Sequence, residues 1–144
     1  MNDKIVKFDT RSTSPDDWNS AWTEVPVPKD DWVAGDWSAG RIAWLRYDDS
    51  RDAGNERPLQ YSVHHTDETV SIRVKIHAEE FIYVIEGSFD IELDNGEKHT
   101  FKAGDAVHFR PGLSGVWTYH APFRQTVAIA FEHAVPERTE VHPR

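Results

Sequence analysis

Phe89-Asp90-Ile91-Glu92-Leu93-Asp94-Asn95-Gly96-Glu97-Lys98-His99-Thr100-Phe101 is the stretch that decides the fold. Phe89, Ile91 and Leu93 alternate with Asp90, Glu92 and Asp94, the period of two that turns one face of a strand to a core and the other to water. Asn95-Gly96 then separates this run from residues 97–101. Both positions of a tight two-residue hairpin turn need positive φ, which Asn tolerates and Gly adopts freely, so the segment predicts an antiparallel hairpin.

The same period extends outward. Upstream, Val70, Ile72, Val74 and Ile76 share one face of a strand, with Ser71, Arg73, Lys75 and His77 on the other. Residues 41–47, 59–65 and 81–86 also read as strands, and a charged loop occupies 48–57. Downstream, Ala103-Gly104-Asp105 and Pro111-Gly112 mark turns around a strand at 106–109, followed by strands at 115–120 and 124–131. Val127-Ala128-Ile129-Ala130-Phe131 is apolar on both faces, which predicts a central strand.

Helix signals are confined to Ser14-Pro15-Asp16-Asp17, an N-cap with Pro at the first helical position, which predicts one short turn ending near Trp22. Val25-Pro26-Val27-Pro28 forces extended backbone. The expected architecture is all-β, a sandwich or closed antiparallel barrel over residues 41–135. An N-terminal arm at 1–40 and a polar tail at 136–144 flank it.

A chain of 144 residues supports one domain with one core. The absence of Cys excludes disulfides and thiolate chemistry. The net charge of −9, with scattered basic residues, disfavours nucleic-acid binding. The N-terminus lacks the apolar stretch of a secretory signal, and no run approaches the ~20 apolar residues of a membrane helix, so a soluble, cytoplasmic protein is expected. Of six Trp, Trp18, Trp22, Trp32, Trp37 and Trp44 fall in the first third. Aromatics in such an arm predict packing on the barrel or on a partner subunit, and hence a homodimer.

Around the hairpin the residues resemble the cupin superfamily. Its first motif ends in a Glu, six residues and a Gly, as in Glu80, Phe81-Ile82-Tyr83-Val84-Ile85-Glu86 and Gly87. Its second opens with Gly-Asp, as in Gly104-Asp105, and continues into a Gly-containing turn, here Arg110-Pro111-Gly112. Gly112-Leu113-Ser114-Gly115-Val116-Trp117 matches a branch with the pattern Gly-x-Ser-Gly-x-Trp, which includes ureidoglycine aminohydrolase-like and ethanolamine-utilisation-like cupins. The resemblance covers about residues 60–131 and implies a jelly-roll β-barrel that holds a small molecule.

Metal-binding cupins place two His on one strand, add the Glu of the first motif and complete the set with a later His. Carried over from Glu80, those positions hold Arg73, Lys75 and Gly115. Neither Arg nor charged Lys ligates, so the resemblance implies no standard metal centre. A non-standard transition-metal site built on His77 and Glu80, with His108 or one of His64 and His65, is the alternative.

In the family's register Arg73, Lys75 and Glu80 project into the barrel. Arg73 then suits bidentate capture of an anion, Lys75 adds a point charge and Glu80 serves as general acid or base. The opposite register is as well patterned: Val70, Ile72, Val74 and Ile76 make an equally good interior face, and a one-residue slip exchanges the two. Trp117 and Tyr119 share a strand face and are expected to form an aromatic pocket wall, with His77 and His108 as further contacts. The functional expectation is therefore a lyase, isomerase or hydrolase acting on a small polar or anionic metabolite by metal-free proton transfer. A non-catalytic metabolite-binding cupin and a metal-dependent dioxygenase-type cupin are the alternatives.

Overall fold

The computed structural model describes residues 10, 22–24, 29–35, 40–52, 54 and 57–133. The helical turn expected before Trp22, the Val25-Pro26-Val27-Pro28 segment, Trp18, Trp37 and the tail at 136–144 lie outside these residues. The strands are β1 (Trp22–Glu24), β2 (Trp32–Ala34), β3 (Gly40–Tyr47), β4 (Leu59–Thr66), β5 (Val70–Lys75), β6 (Glu79–Leu93), β7 (Lys98–Lys102), β8 (Ala106–Phe109) and β9 (Ser114–Ala130). A 3-10 turn, Lys29–Asp31, precedes β2.

The two longest strands organise the molecule. β6 and β9 pair antiparallel from Glu79↔Ala130 to Leu93↔Gly115, and each serves two sheets. In the first sheet the order is β2-β5-β9-β6-β7, using residues 114–120 of β9. In the second it is β1-β3-β4-β9-β6-β8, using residues 123–130. The two inner faces enclose the core of an antiparallel jelly-roll barrel. β1 and β2, both from the stretch read as an arm, extend one edge of each sheet.

Where the sequence pattern breaks, at Gly87 and around Pro122, the structure bends strands rather than ending them. Gly87 adopts φ 77°, and the β6–β9 register shifts on either side of Glu86. Such bulges turn a strand between sheets without breaking the pairing. The hairpin is present, with Phe89↔Phe101 and Glu92↔Lys98 in register. Its turn is longer than the two residues expected: the Leu93 amide donates to Glu97 O at 2.8 Å, leaving Asp94, Asn95 and Gly96 in the loop. The Gly96 amide donates to Leu93 O at 2.8 Å and Gly96 takes φ 91°, the geometry of a three-residue loop closed by a left-handed Gly.

The first sheet turns Val70, Ile72, Val74, Phe89, Ile91, Leu93 and Trp117 inward, all buried. This settles the register of β5. Arg73 and Lys75 lie exposed on the outer face, where Arg73 Nη1 donates to Asp94 Oδ1 at 3.2 Å. The physical choice is one-sided. Burying three aliphatic side chains contributes roughly 1.5–3 kcal/mol each, whereas unpaired cations inside would cost several kcal/mol apiece.

Candidate functional site

The inner face of the second sheet is unlike that of the first. β4 turns Gln60, Ser62, His64 and Thr66 inward, β9 contributes Gln125 and β6 contributes Glu80, and all are buried. Register explains the grouping. Gln60 and Glu80 flank Ile129 across three neighbouring strands, and His64 lies beside Gln125. Polar side chains in a barrel core require partners, and Gln125, His64 and Gln60 each have one. Gln125 Nε2 and His64 Nδ1 are 3.0 Å apart, and Gln60 Nε2 donates to Asp48 O at 2.9 Å.

Tyr119 reaches this cluster from the first sheet. Its ring meets His64 edge-on at 5.2 Å and Phe123 at 4.9 Å. Its hydroxyl hydrogen-bonds the Gln125 side chain, and the nearby Glu80 charge acts on it. Burial, reinforced by Glu80, pushes the Tyr119 hydroxyl far above its ordinary value, so it remains a protonated donor. Burial also pushes the His64 imidazole down to about 3, with His65 adding to the effect, so His64 is neutral near pH 7. The site thus combines one carboxylate, one neutral imidazole, one phenol and a carboxamide, all close to the aromatic wall of Phe89, Phe109, Trp117 and Phe123.

The expected site residues divide accordingly. Glu80 is inside, with 6% exposure. Trp117 and Tyr119 do share an inner wall; Trp117 packs on Phe109 with ring centroids 5.7 Å apart. Arg73 and Lys75 are on the opposite side of the sheet, and the anion pocket built on them is not formed. His108 is also outside: the alternation that puts Phe109 in the core turns it outward, where it contacts Glu79 and stacks on Phe81 at 4.5 Å. His77 is half-buried in the β5–β6 connection, its Nε2 without a hydrogen-bond partner among the described residues. Of His64 and His65, His64 is the inward one, as adjacent residues of a strand require.

The residues do not fit the metal that cupins of the three-His type carry. Two of its ligand positions, Arg73 and Lys75, face outward. At the third, a Cβ on Gly115 would overlap the Glu92 carbonyl oxygen and lie 2.8 Å from Leu93 Cα, so no side chain fits. The alternative set is not brought together among the described residues either: His108 is on the outer face, and His77 and Glu80 form no ligand group with His64 or His65. Among the described residues no three His, Cys, Asp or Glu lie together as a ligand group.

Gln60, His64 and Gln125 were not anticipated as a set. Each is unremarkable in sequence, and only the β4–β9 pairing brings His64 and Gln125 together across 61 positions. A groove of about 320 Å³ also lies on the outer face of the first sheet, beside Asp90 and Thr118. Its polar groups bond to each other: Asp90 takes Thr100 Oγ1 at 2.6 Å and His120 Nε2 at 2.7 Å, and Ser71 pairs with Thr118 at 2.7 Å.

Residues 68–126 match the model of the EutQ-like cupin domain. No curated protein matches the chain. Among solved structures, a cupin superfamily protein from Desulfitobacterium hafniense DCB-2 aligns with TM-score 0.53 and 11% identity, over 69% of this chain and 84% of that one. A structural-genomics protein of unknown function from Rhizobium leguminosarum bv. viciae 3841 aligns with TM-score 0.50 and 16% identity, over 66% and 83%. The Clostridium difficile EutQ protein aligns at 18% identity over 74% and 80%, with TM-score 0.46. At these identities the likeness is one of fold. No described helix is long and apolar enough to cross a membrane.

Proposed function

We propose that this chain, whose residues 68–126 match the EutQ-like cupin domain, is a cupin that binds a small polar metabolite between its two sheets, with Glu80 transferring a proton to or from it. The observation that supports this reading is the convergence of Glu80, His64, Tyr119 and Gln125 in a core that is otherwise apolar and aromatic. Burying four such groups together costs desolvation that a purely structural core avoids. Clustered titratable groups with shifted protonation are the usual mark of a binding or catalytic site.

The chemistry also narrows the ligand. Arg124, the one Lys or Arg among the described residues that is buried, alternates on β9 with the inward Gln125 and so lies on the other face, opposite His65 and Glu86; the interior therefore suits a neutral molecule bearing hydroxyl, carbonyl or amide groups rather than an anion. Tyr119 donates to an acceptor on it, and neutral His64, whose Nδ1 accepts from Gln125 Nε2, offers its Nε2–H as a second donor. Glu80 then stands as the group that takes up or returns a proton, the step shared by lyases, isomerases and hydrolases. The proposed chemistry uses no metal; among the described residues no three His, Cys, Asp or Glu lie together.

Proton transfer is open to direct test with small neutral hydroxy-ketones and carboxamides in D2O. Wild-type protein is expected to exchange the acidic C–H of a bound member, read by proton NMR, and Glu80→Gln to do so at least ~100-fold more slowly. Equal rates would remove Glu80 from the chemistry. Binding by wild type with no exchange at all would favour the non-catalytic reading.

A further inference from the structure

Two buried polar atoms at the β3–β4 edge of the inner face take no part in the cluster around Glu80, His64, Tyr119 and Gln125. They are the indole Nε1 of Trp44 and the carboxamide Oε1 of Gln60, and neither has a hydrogen-bond partner among the described residues. The strand register sets the two residues beside each other. Trp44 pairs with Ser62 and packs against the core, and Gln60 lies two residues along β4 on the same inward face, opposite Tyr47. The bulge between Trp44 and Arg46 keeps both Trp44 and Tyr47 on that face.

Both atoms are held in place. Gln60 is 2% exposed, and its Nε2 donates to the Asp48 carbonyl at 2.9 Å. A carbonyl only accepts, so the amide nitrogen must face Asp48, and Oε1 is the end left over. The Trp44 indole meets the Tyr47 ring edge-on, with centroids 4.8 Å apart. The edge therefore presents one fixed donor and one fixed acceptor that do not bond each other. Buried polar atoms are nearly always matched. Diagonal neighbours on adjacent strands stand about 7–8 Å apart at the backbone, so a small group can bridge their side chains.

That group must accept from an indole N–H and donate to a carboxamide oxygen. A primary carboxamide does both from neighbouring atoms, whereas a ketone only accepts and a carboxylate would set its charge against Gln60 Oε1. We propose that Trp44 and Gln60 form a second recognition point of the interior site, one that takes a primary carboxamide on the ligand and rejects the matching carboxylate. Resting on the interior site proposed above, this second point adds its specificity. Gln60 and Glu80 both pair with Ile129, two strand spacings or roughly 10 Å apart at the backbone. With both side chains directed inward, that separation suits a ligand of a few carbons, with the carboxamide at one end and the acidic C–H nearer Glu80.

Proton–nitrogen NMR titration of the full chain with lactamide, acetoacetamide and levulinamide, each beside its carboxylate and its methyl ketone, provides the test. Wild-type protein is expected to bind at least one carboxamide at least ~10-fold more tightly than either counterpart, the cost of one unmatched buried polar group. The Trp44 indole N–H, identified by its absence from Trp44→Phe, is expected to shift downfield on binding. Gln60→Met removes the acceptor and is expected to bring carboxamide and ketone to equal affinity, with the ketone bound as in wild type. Trp44→Phe is expected to weaken carboxamide and ketone by the same factor. Should Gln60→Met fail to fold, the wild-type preference and the Trp44 signal decide alone. A carboxamide that binds without moving the Trp44 signal, or whose preference survives Gln60→Met, would overturn this second point and leave the interior site standing. No binding of any probe to wild type at millimolar concentration would overturn both.

Discussion

Gly87→Ala is expected to destabilise the barrel by on the order of 3 kcal/mol or more, the largest effect of any one-carbon addition considered. Two costs combine at this position. The backbone sits at φ 77°, where an L side chain costs roughly 1–2 kcal/mol. A Cβ would also overlap the Pro122 carbonyl oxygen and lie 2.9 Å from His120 O and 3.1 Å from Phe123 Cα. These are backbone atoms of the bent part of β9 and have no rotamer through which to move aside. Gly96 is the internal control: it has φ 91° but nothing within 4 Å of the added carbon, so Gly96→Ala should show the conformational cost alone. Urea denaturation of both variants separates the two effects. Equal losses would mean that the close approach of β6 and β9 does not limit the bend.

Acid stability provides the second large effect, through His64. An unfolded imidazole takes up its proton near pH 6.5, whereas the folded one, buried against Tyr119, Phe123 and Gln125, does so only near 3. Between those values the unfolded chain holds the extra proton, so acidification favours unfolding. The contribution is fully present above pH 6.5 and is lost as the pH falls toward 3. From pH 6.5 to 4 it amounts to roughly 3 kcal/mol, at about 1.4 kcal/mol per unit. His64→Gln removes the titrating ring and is expected to flatten the stability profile in that window, as measured by chemical denaturation across pH. Asp90, held below its ordinary value by Thr100 and His120, loses its contribution only below about pH 3.8, so the two windows are separable. An unchanged slope in the variant would place the acid sensitivity elsewhere.

The fold was legible where its cause is local. The Phe89–Phe101 segment carries both the alternation and the turn, and it forms the hairpin, with one more loop residue than a two-residue turn allows. The residues that resemble the cupin motifs are those that bend and reverse the chain. By contrast, the orientation of β5 turns on which of two equally regular faces meets the core. That depends on its pairing with β9, for instance Ile72 beside Trp117, and no local pattern contains it. The alignment that places Glu80 inside is correct for β6 and does not transfer to β5.

The candidate site was half legible for the same reason. Glu80 and Tyr119 lie in patterned strands whose inner faces are evident. His64, Gln60 and Gln125 form an inner row only because β4 and β9 pair, a contact between segments far apart in sequence. One consequence is local: an inward Glu80 forces Phe81 and Tyr83 outward, where both are about half exposed.

The central claim is that ligand recognition lies inside the barrel, on the second sheet, and not among the cations outside the first. Isothermal titration calorimetry on a neutral carboxamide or hydroxy-ketone that binds the wild-type protein tests it most directly. Glu80→Gln and Tyr119→Phe are each expected to weaken that binding at least ~10-fold, the cost of one unmatched buried polar group, while Arg73→Ala and Lys75→Ala leave it unchanged. Binding lost in the Arg73 or Lys75 variant and retained in the interior ones would contradict the account.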